Sequence, residues 1–490
     1  MRRFIAVLFA AALTAVTTAH IGSPNVLFDG AAGPYPVRVI IRPPNVVPGL
    51  AEVIVRTMAP DVQRIVIQPV FWRTGVAGAP RGDEMSPVAG QSNTFTGQLW
   101  LMVRGSYSVY LTVHGARGDG KVIVPVNSFA TGRLGLSTGM TVMLVVLGLA
   151  LVAGLVTIVR AAVGESLVPP GGSLEPAKRR RANVIAIVAV PVVALLLFGG
   201  AKWWSAVDAD YRRSIFRAPV VDVSVGATGR TLRLTVHDTN GFRAIFSPVA
   251  PEHGKMMHLF LIRSPAMDAF AHLHPSEVDS LVFTTTVPDL PAGDYRLFGD
   301  IMLENGSSLT VSNRMTLAEG AHSTPSDSDD AWTPSLTAVP ARANAVAAMG
   351  HGYRLAWAGG DGALPANAPL DLRFIVTDSA GNPARLEPYL GMAAHAVVLR
   401  DDGSVFIHLH PMGTVATTAQ QIYEARDRGD TTARGRLKPG AFTDSATMPM
   451  SFTGALSFPY EFPKAGRYRI WVQAKPAREI LTGAFDVEVR

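Results

Sequence analysis

The chain has 490 residues, no cysteine, 48% hydrophobic residues and a formal net charge of +6. Without cysteine there is no disulfide framework and no thiolate metal site, so each domain rests on an ordinary core and any metal must use His, Met or carboxylate donors. Part of the positive excess falls in one short internal segment, and no basic patch is interleaved with aromatic residues elsewhere, which excludes nucleic acid as a partner.

In chain order, Arg2 and Arg3 precede the apolar run Phe4 to Val16 and the small residues Thr17-Thr18-Ala19. This is the layout of a secretory signal peptide over residues 1–19, too short to span a bilayer, and cleavage would leave His20 as the mature N-terminus. Residues 20–133 read as a first β domain, from alternating runs such as Val37 to Ile41 and Val53 to Arg56 between Pro and Gly turns.

Residues 134–159 contain no charge and residues 182–201 form a second apolar run, so each is predicted to be a transmembrane helix. The connection, residues 160–181, carries Arg160, Lys178, Arg179, Arg180 and Arg181 against Glu165 and Glu175, and reads as a basic cytoplasmic loop by the positive-inside rule. Residues 20–133 and 202–490 then fall on the extracytoplasmic, periplasmic side of the inner (cytoplasmic) membrane. Neither apolar run holds an internal charge or histidine, and Pro191 can act as a kink, so both read as anchors.

Residues 214–318 and 336–490 carry further strand patterns, for example Leu232 to Val236 and Leu372 to Val376. A motif recurs in all three exported segments: Gly105-Ser106-Tyr107-Ser108-Val109-Tyr110, Gly293-Asp294-Tyr295-Arg296-Leu297-Phe298 and Gly466-Arg467-Tyr468-Arg469-Ile470-Trp471. A turn glycine followed by a tyrosine entering a strand is the tyrosine corner of immunoglobulin-like sandwiches. The expected fold class is therefore mainly β, three immunoglobulin-like β-sandwich domains plus two transmembrane helices. Residues 319–335 read as a polar linker, and the stretch 412–450 as an insertion forming a surface excursion or lid.

The second and third domains share a histidine motif. His258 leads through Arg263 to His272-Leu273-His274-Pro275, and His395 leads through Arg400 to His408-Leu409-His410-Pro411. Each copy predicts a β-hairpin, on which histidines two apart share a face and the upstream histidine lies alongside. The first copy is one residue longer between histidines, so its loop, Ser264 to Asp268, must have the opposite parity. Three neutral imidazoles suit copper or zinc, and the nearby Met256, Met392 and Met412 offer thioethers that favour Cu(I). The alternative is a set of structural histidines bonded to strand neighbours. His20 offers an amine and a ring nitrogen to one Cu(II), with His114 as a second ring ligand.

An exported β-sandwich with histidine at its mature N-terminus resembles the CopC-type periplasmic copper carriers. The tandem histidine-containing sandwiches resemble the YtkA-like and FixH-like envelope domains of bacteria. The likeness implies copper as cofactor, His20 as a ligand, and a membrane or periplasmic copper-protein partner. The expected function is copper handling by delivery, buffering or sensing. The competing expectations are an interaction scaffold without metal and a copper-dependent enzyme.

Overall fold

The computed structural model describes residues 20–21, 25–166, 168–169, 171–226, 230–237, 248–320, 323, 325, 327–432, 436–441 and 451–490. The signal-peptide reading of residues 1–19 lies outside them. The protein is mainly β with two long apolar helices, and it divides into two compact units, Met1–Phe129 with Arg217–Arg490, and Ala130–Phe216.

The helical unit is a hairpin of α1 (Thr138–Glu165) and α2 (Pro176–Arg213). The Ser137 hydroxyl accepts from Met140 N and caps α1, while Pro176 opens α2 where its missing N–H costs no hydrogen bond. At about 1.5 Å per residue both helices exceed the roughly 30 Å hydrocarbon layer. A side chain at Gly164 would meet Leu174 and Ala182, so small residues set the close approach of the helices, and Arg160 donates to Asn183 beside them. Lys178 to Arg181 lie in the first turns of α2 rather than in a loop, and α2 continues through Trp203 and Trp204 to Arg213. Alanine, lysine and arginine are good helix formers, so backbone hydrogen bonding outlasts the apolar stretch that hydropathy detects.

In the other unit the first domain packs two sheets face to face. One runs Val26–Ala32, Tyr35–Arg42, Gly49–Thr57, Thr94–Leu101, Ser86–Pro87, the other Gly118–Ser128, Gly105–Gly115, Val62–Phe71, Asp83–Glu84. Alternate residues point inward, so Val37, Val39, Val53 and Val55 of the first meet Ile65, Ile67, Leu111 and Val113 of the second. Each such side chain contributes about 1.5–3 kcal/mol by its burial. The third domain likewise closes Leu355, Phe374 and Phe458 of one sheet over Val398, Ile470 and Phe485 of another. The second domain's strands form one continuous ten-stranded sheet.

All three domains use the same corner. Gly105, Gly293 and Gly466 sit at φ 133°, 142° and 141°, a region that favours glycine. The following tyrosine bonds four residues upstream: Tyr107 Oη accepts from Val103 N at 3.1 Å, while Tyr295 and Tyr468 donate to the carbonyls of Pro291 and Lys464 at 2.6 Å.

The stretch predicted to be a surface excursion is, where described, a packed helix, α3 (Thr417–Asp427). Ala419, Ile422 and Tyr423 form a buried stripe at helical spacing, and Ala419 and Ile422 make a small core with Ala250 and Met302 of the second domain. Tyr423 also bonds Ser106 at 2.9 Å and Gln420 donates to Ile123 O at 2.6 Å, so α3 wedges against the first domain as well.

Candidate metal centre

The strand His258–Arg263 pairs antiparallel with Phe270–Leu273, placing Phe260 opposite His272. Its counterpart Ala394–Arg400 pairs with Val405–Leu409, placing Val397 opposite His408. The two registers are equivalent because the longer Ser264–Asp268 loop absorbs the extra residue, as its parity requires. Each hairpin therefore gathers three histidines: the donor atoms of His258, His272 and His274 lie within 4.8 Å of one another, as do those of His395, His408 and His410. All six are buried.

Hydrogen bonds on the outer nitrogens define the tautomers of His258, His272 and His395. His258 Nε2 faces the Glu252 carbonyl at 3.3 Å and His395 Nε2 faces the Tyr389 carbonyl at 3.1 Å; a carbonyl only accepts, so both nitrogens carry the proton. His272 Nδ1 donates to Gln473 Oε1 at 2.9 Å and to Tyr389 Oη, whose own proton goes to Asp329 O. His408 Nδ1 faces Asp300 Oδ2 at 3.6 Å, His274 Nδ1 faces Asp330 Oδ1 at 3.0 Å, and His410 Nδ1 faces Val415 O at 3.4 Å.

Desolvation, reinforced by neighbouring histidines, holds His258, His272, His395 and His408 well below the usual imidazole range, so they are neutral. Burial likewise pushes His410 down to about 4. A neutral imidazole has one N–H and one lone pair, and His258, His272 and His395 spend the N–H outward. What remains inside the first hairpin is His258 Nδ1 against His272 Nε2 at 3.0 Å, an acceptor pair with no proton between them, and in the second hairpin His395 Nδ1 lies 3.1 Å from His408 Nε2. His274 Nε2 and His410 Nε2 are buried with no hydrogen-bond partner. Leaving a buried polar atom unpaired costs about 1–3 kcal/mol.

The two hairpins face each other across a pseudo-two-fold axis, and several contacts recur in mirrored pairs. Phe298 stacks on Phe406 at 4.1 Å, and the equivalent pair, Trp471 on Phe270, stacks at 5.3 Å. Arg296 donates to Asp401 O in the opposite turn, and Arg469 donates to Met267 O. Gln473 orients His272, and its counterpart Asp300 faces His408. Burial pushes the Asp300 carboxyl up to about 7, against a bond from Thr310 that favours the charged form. Ring centroids of His258 and His408 are 5.2 Å apart across the axis, as close as the 5.3 Å between His258 and His272 within one hairpin.

Residues outside the histidine motif complete the site. His253 packs edge-on against His258, His395 and His410, with centroids at 6.3, 5.9 and 5.3 Å, and forms a further donor group with Glu252 and His410. Glu252 receives the Thr417 and Thr418 N–H groups at 3.0 and 3.1 Å, the N-terminus of α3. Burial raises its carboxyl above the usual range. A shared turn was available as a signal: Pro251-Glu252-His253-Gly254 and Pro388-Tyr389-Leu390-Gly391 both begin seven residues before the upstream histidine. His253 and Leu390 share positive φ, 53° and 49°.

Part of the stretch read as a linker closes the site. Asp330 bonds His274 N at 2.7 Å, Lys255 holds Asp327 and Asp329, and Ala331–Thr333 pairs with Phe270–His272. Its polarity serves fixed partners rather than solvent.

The remaining candidates lie elsewhere. Met256 and Met392 are half-buried in turns at non-equivalent positions, Met256 matching Ala393 and Met392 matching Lys255, so no thioether recurs in both copies. The Met412 sulfur accepts from Thr417 Oγ1 and its side chain packs on the first domain's core. His114 pairs with Asp119 at 2.6 Å and joins no donor group among the described residues. The His20–Ile21 backbone pairs parallel with Val405–Phe406, while the His20 side chain lies outside the described residues.

No curated protein matches the chain. Among solved structures, an engineered protein is 20% identical with a TM-score of 0.16, over 20% of this chain and 21% of that one, so the chain spans about a fifth of it. A tetra-tandem repeat from the extending region of a large adhesion protein is 11% identical over 95% of this chain and 99% of that one, with a TM-score of 0.16. A D1–D4 ectodomain fragment of ICAM-5 is 10% identical over 91% and 73%, with a TM-score of 0.14. Residues 221–319 and 347–490, the two domains that build the histidine cluster, match a family model described as a domain of unknown function (DUF8832).

Proposed function

We propose that this chain is a membrane-anchored metal-binding protein that handles copper, as Cu(I) or Cu(II), with zinc as the alternative metal. The observation that carries the reading is the inward acceptor contact of His258 Nδ1 with His272 Nε2 at 3.0 Å beside the buried, unpartnered His274 Nε2, a geometry that the second hairpin repeats with His395 Nδ1 and His408 Nε2 at 3.1 Å beside the unpartnered His410 Nε2. Two lone pairs at that distance repel unless a cation lies beside both. Three neutral imidazoles per hairpin form a donor set that copper and zinc accept. Gln473, Asp300, Asp330 and the carbonyls on the outer nitrogens are the orienting groups that metal-bound histidines use.

We read the three β domains as immunoglobulin-like from their tyrosine corners, and as extracytoplasmic from the basic run Lys178 to Arg181 between the apolar stretches. Delivery, buffering or sensing of copper at the periplasmic face of the inner membrane follows from that topology, with a membrane or periplasmic copper protein as the exchange partner.

The test is metal content. The full-length chain in detergent, isolated from cells supplied with copper or with zinc and then desalted, should retain the metal stoichiometrically, and His272→Ala/His274→Ala and His408→Ala/His410→Ala forms should lose it. Retention of less than one ion of either metal per chain would sink the reading.

A further inference from the structure

The two histidine triads are equivalent, but their equivalence alone leaves open whether they serve two remote ions or one centre. We propose that they form a single binuclear centre, two metal ions side by side, one in each triad and straddling the pseudo-two-fold axis, sharing one small bridging ligand of water or hydroxide size. This rests on the metal reading above and extends it to the ligand that the metals share.

The spacing is the first argument. His408 lies 5.2 Å from His258 and 5.4 Å from His272 by ring centroid, and His395 lies 6.2 Å from His272. The two His408 separations match those inside a triad, 5.3 Å for His258 with His272 and 5.2 Å for His395 with His408, and the His395–His272 separation is longer. Ions seated in the two triads would therefore be neighbours, as in two-metal sites.

Coordination number is the second argument. Each hairpin supplies three histidines, one short of the four ligands that copper and zinc commonly take, so each ion would need one further ligand. A single ion would have to gather six imidazoles from two hairpins. Those hairpins are fixed relative to each other by the Phe298–Phe406 and Phe270–Trp471 stacks and by the crossed arginine contacts.

Charge is the third. Six neutral imidazoles do nothing to offset two cations in a buried site. Three carboxylates border the cluster: the part-buried Asp300 beside His408, and the buried Asp330 on His274 and Glu252 beside His253. An anionic bridge would supply the remainder.

The test uses the full-length chain in detergent, loaded with Cu(II), desalted, and measured twice, by metal analysis and by electron paramagnetic resonance. The expected result is two copper ions per chain with a spin count far below the copper count and a half-field transition, the mark of coupled neighbours. In the His410→Gln form, one triad is broken, and the expected result is one copper with its full, uncoupled spin. Two coppers with full spin count in the unaltered chain, or one copper only, would overturn the binuclear proposal while leaving metal binding intact. A chain that retains no copper overturns both. The unaltered chain decides the matter even if His410→Gln fails to fold.

Discussion

His272 Nδ1, on the second domain, donates to Gln473 Oε1, on the third, at 2.9 Å. A candidate ligand of one copy is thus oriented by the other copy. Replacing Gln473 with Leu keeps the volume and removes the acceptor. Metal affinity should fall by about 10–100-fold, the usual cost of losing an orienting group. Competition titration against a chelator of known affinity checks this, and unchanged affinity would remove Gln473 from the site.

The stacked pairs carry the interface between the copies. Trp471 and Phe406 are fully buried in a cluster with residues of both domains. Trp471→Ala or Phe406→Ala should each cost about 3–5 kcal/mol of stability. Urea unfolding of the full-length chain, with a lowered midpoint and unchanged slope, is the measurement. A loss below about 1 kcal/mol would mean that the copies do not depend on these stacks.

Metal should staple the two copies together. A ligand that binds only the folded state stabilises it by about 2.7 kcal/mol at a hundredfold excess over its dissociation constant. The thermal midpoint should therefore rise with added copper and return on chelation. A midpoint that ignores copper while copper is retained would place the ion outside the interface.

The metal-free chain should lose stability in mild acid. In the folded state burial holds His258, His272, His395 and His408 well below 6.5 and His410 at about 4, whereas unfolding restores ordinary values. Below about 6.5 the unfolded chain binds more protons than the folded one, so stability falls as pH falls. The loss should run from about pH 6.5 down towards 4, where His410 itself begins to charge in place. Denaturant midpoints across that range test it, and His410→Gln should flatten the slope without abolishing it.

Much of this was legible in the sequence because it is local. The alternation in Val37 to Ile41, the glycine-tyrosine corners and the two apolar runs each announce themselves within a dozen residues. So does the hairpin register, fixed by loop parity once the His-Leu-His spacing is counted. What was not legible depends on contacts distant in sequence. Nothing near His272 says that Gln473 will bond it from 201 positions away, and the Asp327 to Asp330 run looks like solvent-facing linker until His274 and Lys255 are in place. Within the stretch 412–450, only the partners Ser106 and Ala250 show that residues 417–427 are a packed helix rather than a surface excursion. His253 was hidden by standing alone; the Pro-x-x-Gly turn common to both copies would have placed it.

The pseudo-two-fold axis has a consequence for divisibility. Each half of the cluster owns three histidines but borrows the group that orients its middle one, Gln473 for His272 and Asp300 for His408. Cut apart, neither domain is a smaller version of the site: it is a set of donors whose alignment resides in the absent half. The pair behaves as a homodimer whose subunits happen to share a chain. Sharing one chain, the halves need not be identical: Trp471 stands where the other half has Phe298, and Leu390 where it has His253.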